Sequence, residues 1–231
     1  MKRVYQRVEA RAVENGWGVA LDGKPLRTPA KRDLRVPSKR LAAAIAAEWD
    51  AQDPDIRPET MPLTRLAATA IDRTAEKRAE IVAEIAAYAG TDLVCYRAAH
   101  PPALAARQDA VWQALIDWAA GRYDAGLAVT VGIVPVAQSP ASLKIYAGVV
   151  GALDDFRLTA VQAATAACGS LVIALALHEG RLDADAAFTA SQLDETFQIE
   201  AWGEDAEAAA RRAALAEDIR AAARFLSLLG G

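Results

Sequence analysis

The sequence predicts an α+β fold: a small N-terminal antiparallel β domain, residues 1–37, followed by a larger, mainly α-helical domain, residues 38–231. Three observations carry that reading. Alanine, the strongest helix former because it loses no side-chain entropy, fills 56 of the 231 positions. Only four of those alanines fall in the first 37 residues. Those 37 residues alternate polar and apolar positions between turn dipeptides, whereas from Ser38 onward the apolar spacing is helical. With 53% apolar residues and a net charge of −4, the chain is no disordered segment, and 6% aromatics argue against a mainly β protein.

The elements follow in order. Tyr5, Val8 and Val13 sit among charged neighbours, Asn15-Gly16 marks a hairpin turn, and Trp17, Val19 and Leu21 alternate up to a second turn at Asp22-Gly23. Leu34 and Val36 suggest a third strand. Ser38 can cap a helix through Ala51 containing Leu41, Ile45 and Trp49. A proline-rich connector, Asp53 to Pro62, leads to helices over Thr64 to Arg73 and Thr74 to Ala89, the latter stopped by Gly90. Asp92 to Arg97 reads as extended. Pro101 or Pro102 opens a long helix with Val111, Trp112, Leu115 and Trp118, ending at Gly121. Ala128 to Val136 is β-branched and expected to be extended. Helices are expected at 140–151, 157–179, 183–201 and 204–228. Trp49 and Trp112 are expected in the core.

Several function classes are disfavoured. Cys95 and Cys168 lie far apart without a CxxC pair, so they read as small buried hydrophobes of a reducing compartment. His100 and His178 are the only histidines, read as a loop residue and a helix-end residue, so no metal site is expected. The most apolar run, Ala163 to Leu177, is 15 residues, short of a bilayer span, and reads as a buried helix. The start, MKRVYQRVEA, has neither an apolar signal core nor an amphipathic presequence; a bacterial cytoplasmic protein without membrane insertion is expected.

The chemistry-bearing patterns are thin. Gly18 to Lys24 matches GxxxxGK, but Pro25 stands where a phosphate loop needs a hydroxyl and a helix start, so the segment reads as strand, turn, strand. No nucleophile–base arrangement appears, and the carboxylate pairs Asp154/Asp155, Asp194/Glu195 and Glu204/Asp205 are neighbours that point different ways on a helix. Residues 1–40 carry a net charge of +7 and residues 194–218 a net of −6. That asymmetry leaves two alternatives open: a small acid–base hydrolase using Asp or Glu, or a weak nucleic-acid binder through the basic N-terminal segment. The chain is acidic overall, which speaks against nucleic acid. The most unusual block is Leu193 to Asp205, where a helix carrying Phe197 turns at Gly203 and restarts on acids. There Gln198 follows Glu195 by three and Asp194 by four, so these polar groups share a face.

Four blocks carry a family resemblance: Leu21-Asp22-Gly23-Lys24-Pro25-Leu26-Arg27-Thr28-Pro29; Glu48-Trp49-Asp50-Ala51-Gln52 with Met61-Pro62-Leu63-Thr64; Thr91-Asp92-Leu93-Val94-Cys95-Tyr96-Arg97; and Leu193 to Asp205. In that order they resemble the chaperone family that assembles the soluble catalytic sector of the F-type ATP synthase, the members that bind the alpha subunit (the "ATP-twelve" family). The resemblance implies a small β domain before a helical one, no enzymatic activity, no cofactor, and the unassembled alpha subunit as partner, held by a monomer until beta subunits replace it. It also implies a functional acidic block, carried onto Glu195, Gln198, Glu200, Trp202, Gly203, Glu204 and Asp205 as partner-binding residues. The eukaryotic relatives work in the mitochondrial matrix.

Overall fold

A computed structural model describes residues 2–230 and bears out the fold class, a small antiparallel sheet followed by helices. The sheet comprises β1 (Val8–Val13), β2 (Gly16–Leu21), β3 (Lys24–Pro25) and β4 (Arg35–Val36), with β2 pairing all the others. The first hairpin differs by one residue from the sequence reading. Val13 pairs with Gly16, so the tip is Glu14-Asn15 and Gly16 already belongs to β2. Asn15 takes φ +58°, and a Cβ on Gly16 would lie 2.8 Å from the Val36 carbonyl, so the glycine serves the close approach of β4. Asp22 and Gly23 both have positive φ, as the tight second hairpin requires. The Asp22 carboxylate accepts the N–H groups of Arg7 and Gln6, at 2.8 and 3.0 Å, and these bonds hold its pKa below the usual range. The GxxxxGK segment is therefore strand, turn, strand.

Two compact units emerge. The first takes residues 1–78, 154–160 and 224–231. It gathers the sheet with α1 (Lys39–Asp50) and α2 (Pro62–Thr69) around Val19, Leu34, Leu41, Ile45, Leu63 and Phe225. Ser38 caps α1, accepting the Leu41 N–H at 3.0 Å, and its hydroxyl donates to the Leu228 carbonyl. The Glu48 carboxylate accepts the N–H groups of Leu63 and Thr64, each at 2.8 Å. That capping, with Pro62 at the first helical position, starts α2 two residues earlier than the Thr64 expected from the sequence. A π-helical turn at Ala70–Thr74 then carries the chain on, and the next helix, α3, spans only Arg78–Ala87. Trp49 is half-buried rather than core: it lies at the end of α1 against Tyr5, ring centroids 5.8 Å apart, beneath a second small cluster with Ile56 and Met61.

The second unit, residues 79–153 and 161–223, is helical. Its elements are α3, α4 (Pro102–Gln108), α5 (Ala114–Tyr123), α6 (Pro140–Gly151), the end of α7 (Asp155–Cys168), α8 (Leu171–His178), α9 (Ala184–Ser191), α10 (Leu193–Trp202) and most of α11 (Ala206–Leu229). Seven of the eight α8 residues are buried. The expected helix over 157–179 is broken at Gly169, φ +65°, because Ser170 opens α8 as its cap. Ser170 accepts the Ile173 N–H at 3.0 Å and donates to the Asp92 carboxylate at 2.5 Å. The expected helix over 183–201 is likewise two, α9 and α10, parted at Gln192. Asp92–Arg97 is not extended throughout: Asp92 caps a 3-10 turn, Leu93–Cys95, and only β5 (Tyr96–Arg97) is strand. The long helix from Pro102 reaches Tyr123 through a π-helical turn at Asp109–Gln113. Of the β-branched run at 128–136, only β6 (Thr130–Val131) pairs, parallel to β5.

Cys95 and Cys168 are free and buried, and burial pushes each thiol up to about 12. Native protein is expected to react negligibly with a chromogenic thiol reagent at pH 8, whereas the denatured chain titrates two thiols. Fast native reaction of either would contradict the burial.

Candidate functional site

The acidic block folds as α10, a turn at Gly203, and the start of α11. α10 has two faces. On the inner face Asp194 accepts a hydrogen bond from Gln108 Nε2 at 2.7 Å, and Gln108 Oε1 accepts the Ala98 N–H at 2.6 Å. The Arg107 guanidinium lies 5.1 Å from the Phe197 ring centroid and pairs with Glu200 at 2.7 Å. Arg107 and Gln108 of α4 therefore fix the angle of α10.

The outer face carries Glu195, Gln198 and Trp202, at positions i, i+3 and i+7 along one stripe. Among the described residues neither Glu195 nor Gln198 has a hydrogen-bond or ion-pair partner, and Trp202 is 79% exposed. Burial of this tryptophan, the simpler expectation for a large apolar ring, is not what the fold does. Gly203 ends the helix with φ +83° while its N–H bonds the Ile199 carbonyl at 2.8 Å. Asp205 caps α11, accepting the N–H groups of Glu207 and Ala208, each at 2.9 Å. Glu204 pairs with Arg212 at 3.1 Å, and Arg212 also donates to Thr196 Oγ1 at 3.2 Å and lies over the Phe188 ring.

The seven residues thus divide by role. Glu200, Gly203, Glu204 and Asp205 have local structural duties. Glu195, Gln198 and Trp202 form an open, polar-rimmed tryptophan surface, the composition that protein interfaces favour. Sequence reasoning missed Arg107 and Arg212, which hold the block from outside it. Their spacings of 93 and 8 residues from the acids they bind follow no helical repeat.

Other chemistry finds little support. Among the described residues no three His, Cys, Asp or Glu side chains cluster as metal ligands would. Asp50 and Asp53 line one open depression with Arg3, but both are exposed and Asp50 is paired to Arg3 at 3.2 Å. Part of the N-terminal positive charge is locally matched: Arg3, Arg7, Arg27 and Arg32 pair with Asp50, Glu9, Asp33 and Glu76. No described helix is long and apolar enough to cross a membrane.

Comparison with known proteins supplies the family. A family model described as "ATP12 chaperone protein" matches residues 2–120. The crystal structure of Atp12 from Paracoccus denitrificans is 43% identical, with a TM-score of 0.95 over 99% of this chain and 98% of that one. The Atu1473 protein of Agrobacterium tumefaciens is 40% identical, with a TM-score of 0.94 over 99% of this chain and 86% of that one. "Protein atp12, mitochondrial" of Schizosaccharomyces pombe is 24% identical over 214 residues, 87% of this chain and 74% of that protein. The chain belongs to the ATP12 chaperone family, the assembly chaperones of the ATP synthase.

Proposed function

We propose that this chaperone holds the unassembled alpha subunit of the F-type ATP synthase, as a monomer in the bacterial cytoplasm and without catalysis, until beta subunits take over the client's interface. The supporting observation is the outer stripe of α10: a tryptophan 79% exposed on one face with Glu195 and Gln198, both without partners among the described residues. An unassembled subunit exposes an apolar interface that associates indiscriminately. A holding protein needs only a surface that binds such an interface more weakly than the final partner does, and requires neither nucleotide nor metal.

Binding of purified alpha subunit in solution tests the reading. Trp202→Ala is expected to weaken binding about thirtyfold, the effect of losing an interface hot spot of about 2 kcal/mol. Glu195→Lys is expected to weaken it about tenfold through charge reversal. Both side chains lie outside the core, so melting temperatures should stay close to wild type. Glu204→Lys is the contrasting case, because it also breaks the Arg212 pair and should lower stability slightly. A folded wild-type protein that fails to bind folded alpha subunit would overturn the proposal.

A further inference from the structure

We infer a second client contact, resting on the chaperone reading: the segment Val129–Val134 receives an extended, uncharged segment of the unassembled subunit along the free edge of β6. The sequence from Ala125 to Leu143 contains no charged residue. Within it Val131, Ile133 and Val134 are 63%, 94% and 71% exposed. Isolated exposed valines or isoleucines are ordinary, but three within four residues form an apolar projection.

The segment is held at its base. Gln138, itself buried, accepts the Ala128 N–H at 2.7 Å and donates to the Ala128 carbonyl at 2.9 Å, so one side chain pairs both backbone groups of that residue. On the far side the Gly132 N–H reaches the Arg97 carbonyl at 2.8 Å, while the Ala98 N–H is occupied by Gln108. On β6, therefore, Thr130 and Gly132 serve β5, and the N–H and C=O of Val131 turn the other way with no partner among the described residues. Gly132, with φ +82°, then bends the chain and sends Ile133 and Val134 outward.

The chemistry selects the occupant. A free strand edge offers a donor and an acceptor that an extended backbone satisfies and a helix does not. Natural sheets guard such edges with charge, and this one has none. An uncharged β-branched rim suits a partner segment equally free of charge, as in an obligate subunit interface before its neighbour arrives.

The experiment compares wild type with Ile133→Asp/Val134→Asp and with Val131→Pro in binding to purified alpha subunit, alongside thermal melts and sedimentation of the chaperone alone. Val131→Pro removes the outward N–H together with the exposed valine side chain and leaves the Gly132 N–H to Arg97 carbonyl bond in place. Binding at least tenfold weaker in both variants, with unchanged melting, supports the inference. Variants that bind as tightly as wild type overturn it and leave the proposed function standing. Wild type that does not bind overturns the proposed function itself. Self-association of wild type that Val131→Pro abolishes, with client binding unaffected, would assign the edge to a second copy and likewise overturn the inference.

Discussion

Trp112→Ala is expected to lower the free energy of unfolding by about 3–5 kcal/mol, the usual cost of emptying a buried aromatic site. Trp112 is 1% exposed and among the largest fully buried side chains in the protein. Its indole N–H donates to the Ala190 carbonyl at 2.8 Å, and the Arg97 guanidinium lies 5.5 Å from its ring centroid. Truncation therefore leaves a cavity, an unpaired carbonyl and a buried cation without its aromatic face. In a chain this size the loss corresponds to a fall in melting temperature on the order of 10 °C. Trp112→Phe separates the contributions: it keeps most of the volume and should lose only about 1–2 kcal/mol, through the missing hydrogen bond. Urea unfolding of the three proteins checks the order, and a melt unchanged in Trp112→Ala would refute the placement.

Asp92→Ala is expected to cost a comparable amount, about 3–5 kcal/mol, for a different reason. The carboxylate is fully buried and accepts the Ser170 hydroxyl at 2.5 Å, the Val172 N–H at 3.0 Å and the Val94 N–H at 3.2 Å. It joins the Leu93–Cys95 turn to the start of α8, and its removal orphans the donors on both. The group also makes stability depend on pH. Burial raises its pKa to about 6 against the hydrogen bonds that lower it, the Ser170 hydroxyl foremost. The folded state therefore binds the proton more tightly than the unfolded chain. Its stabilising share is fully present below the unfolded pKa near 3.8 and is lost as pH rises through about 6. In Asp92→Asn, which does not titrate, the stability deficit relative to wild type should shrink by about 2–3 kcal/mol between pH 4 and pH 7. A constant deficit over that window would show that the carboxyl titrates alike in both states.

Pattern alone made much of the fold legible. The Ser38 cap, the Asp22-Gly23 hairpin, the helix at 140–151 and the long C-terminal helix rest on local rules: cap chemistry, positive-φ turn residues and apolar spacing. Two of the misread boundaries share one cause, a partner distant in sequence. Glu48 lengthens α2 from 15 residues away, and Asp92 helps to divide the expected 157–179 helix from 78 residues away. A helical window contains neither partner. Trp49 shows the same limit: its spacing marks an inward helical face, but how much of the ring is covered depends on where Tyr5 lies.

By itself the sequence determined the α+β class, the helical run beyond residue 38 and, through four blocks in order, the chaperone family. Those are properties of local propensity and of residue identity in fixed order, which one dimension records completely. Only the tertiary structure decided which members of the acidic block are left open to solvent. Asp205 bonds the helix it starts, Glu200 and Glu204 meet Arg107 and Arg212, and Trp202 alone among the large apolar side chains of α10 is left well exposed. Whether a charged side chain is free depends on what the fold brings within about 4 Å of it, and that distance has no counterpart in sequence spacing.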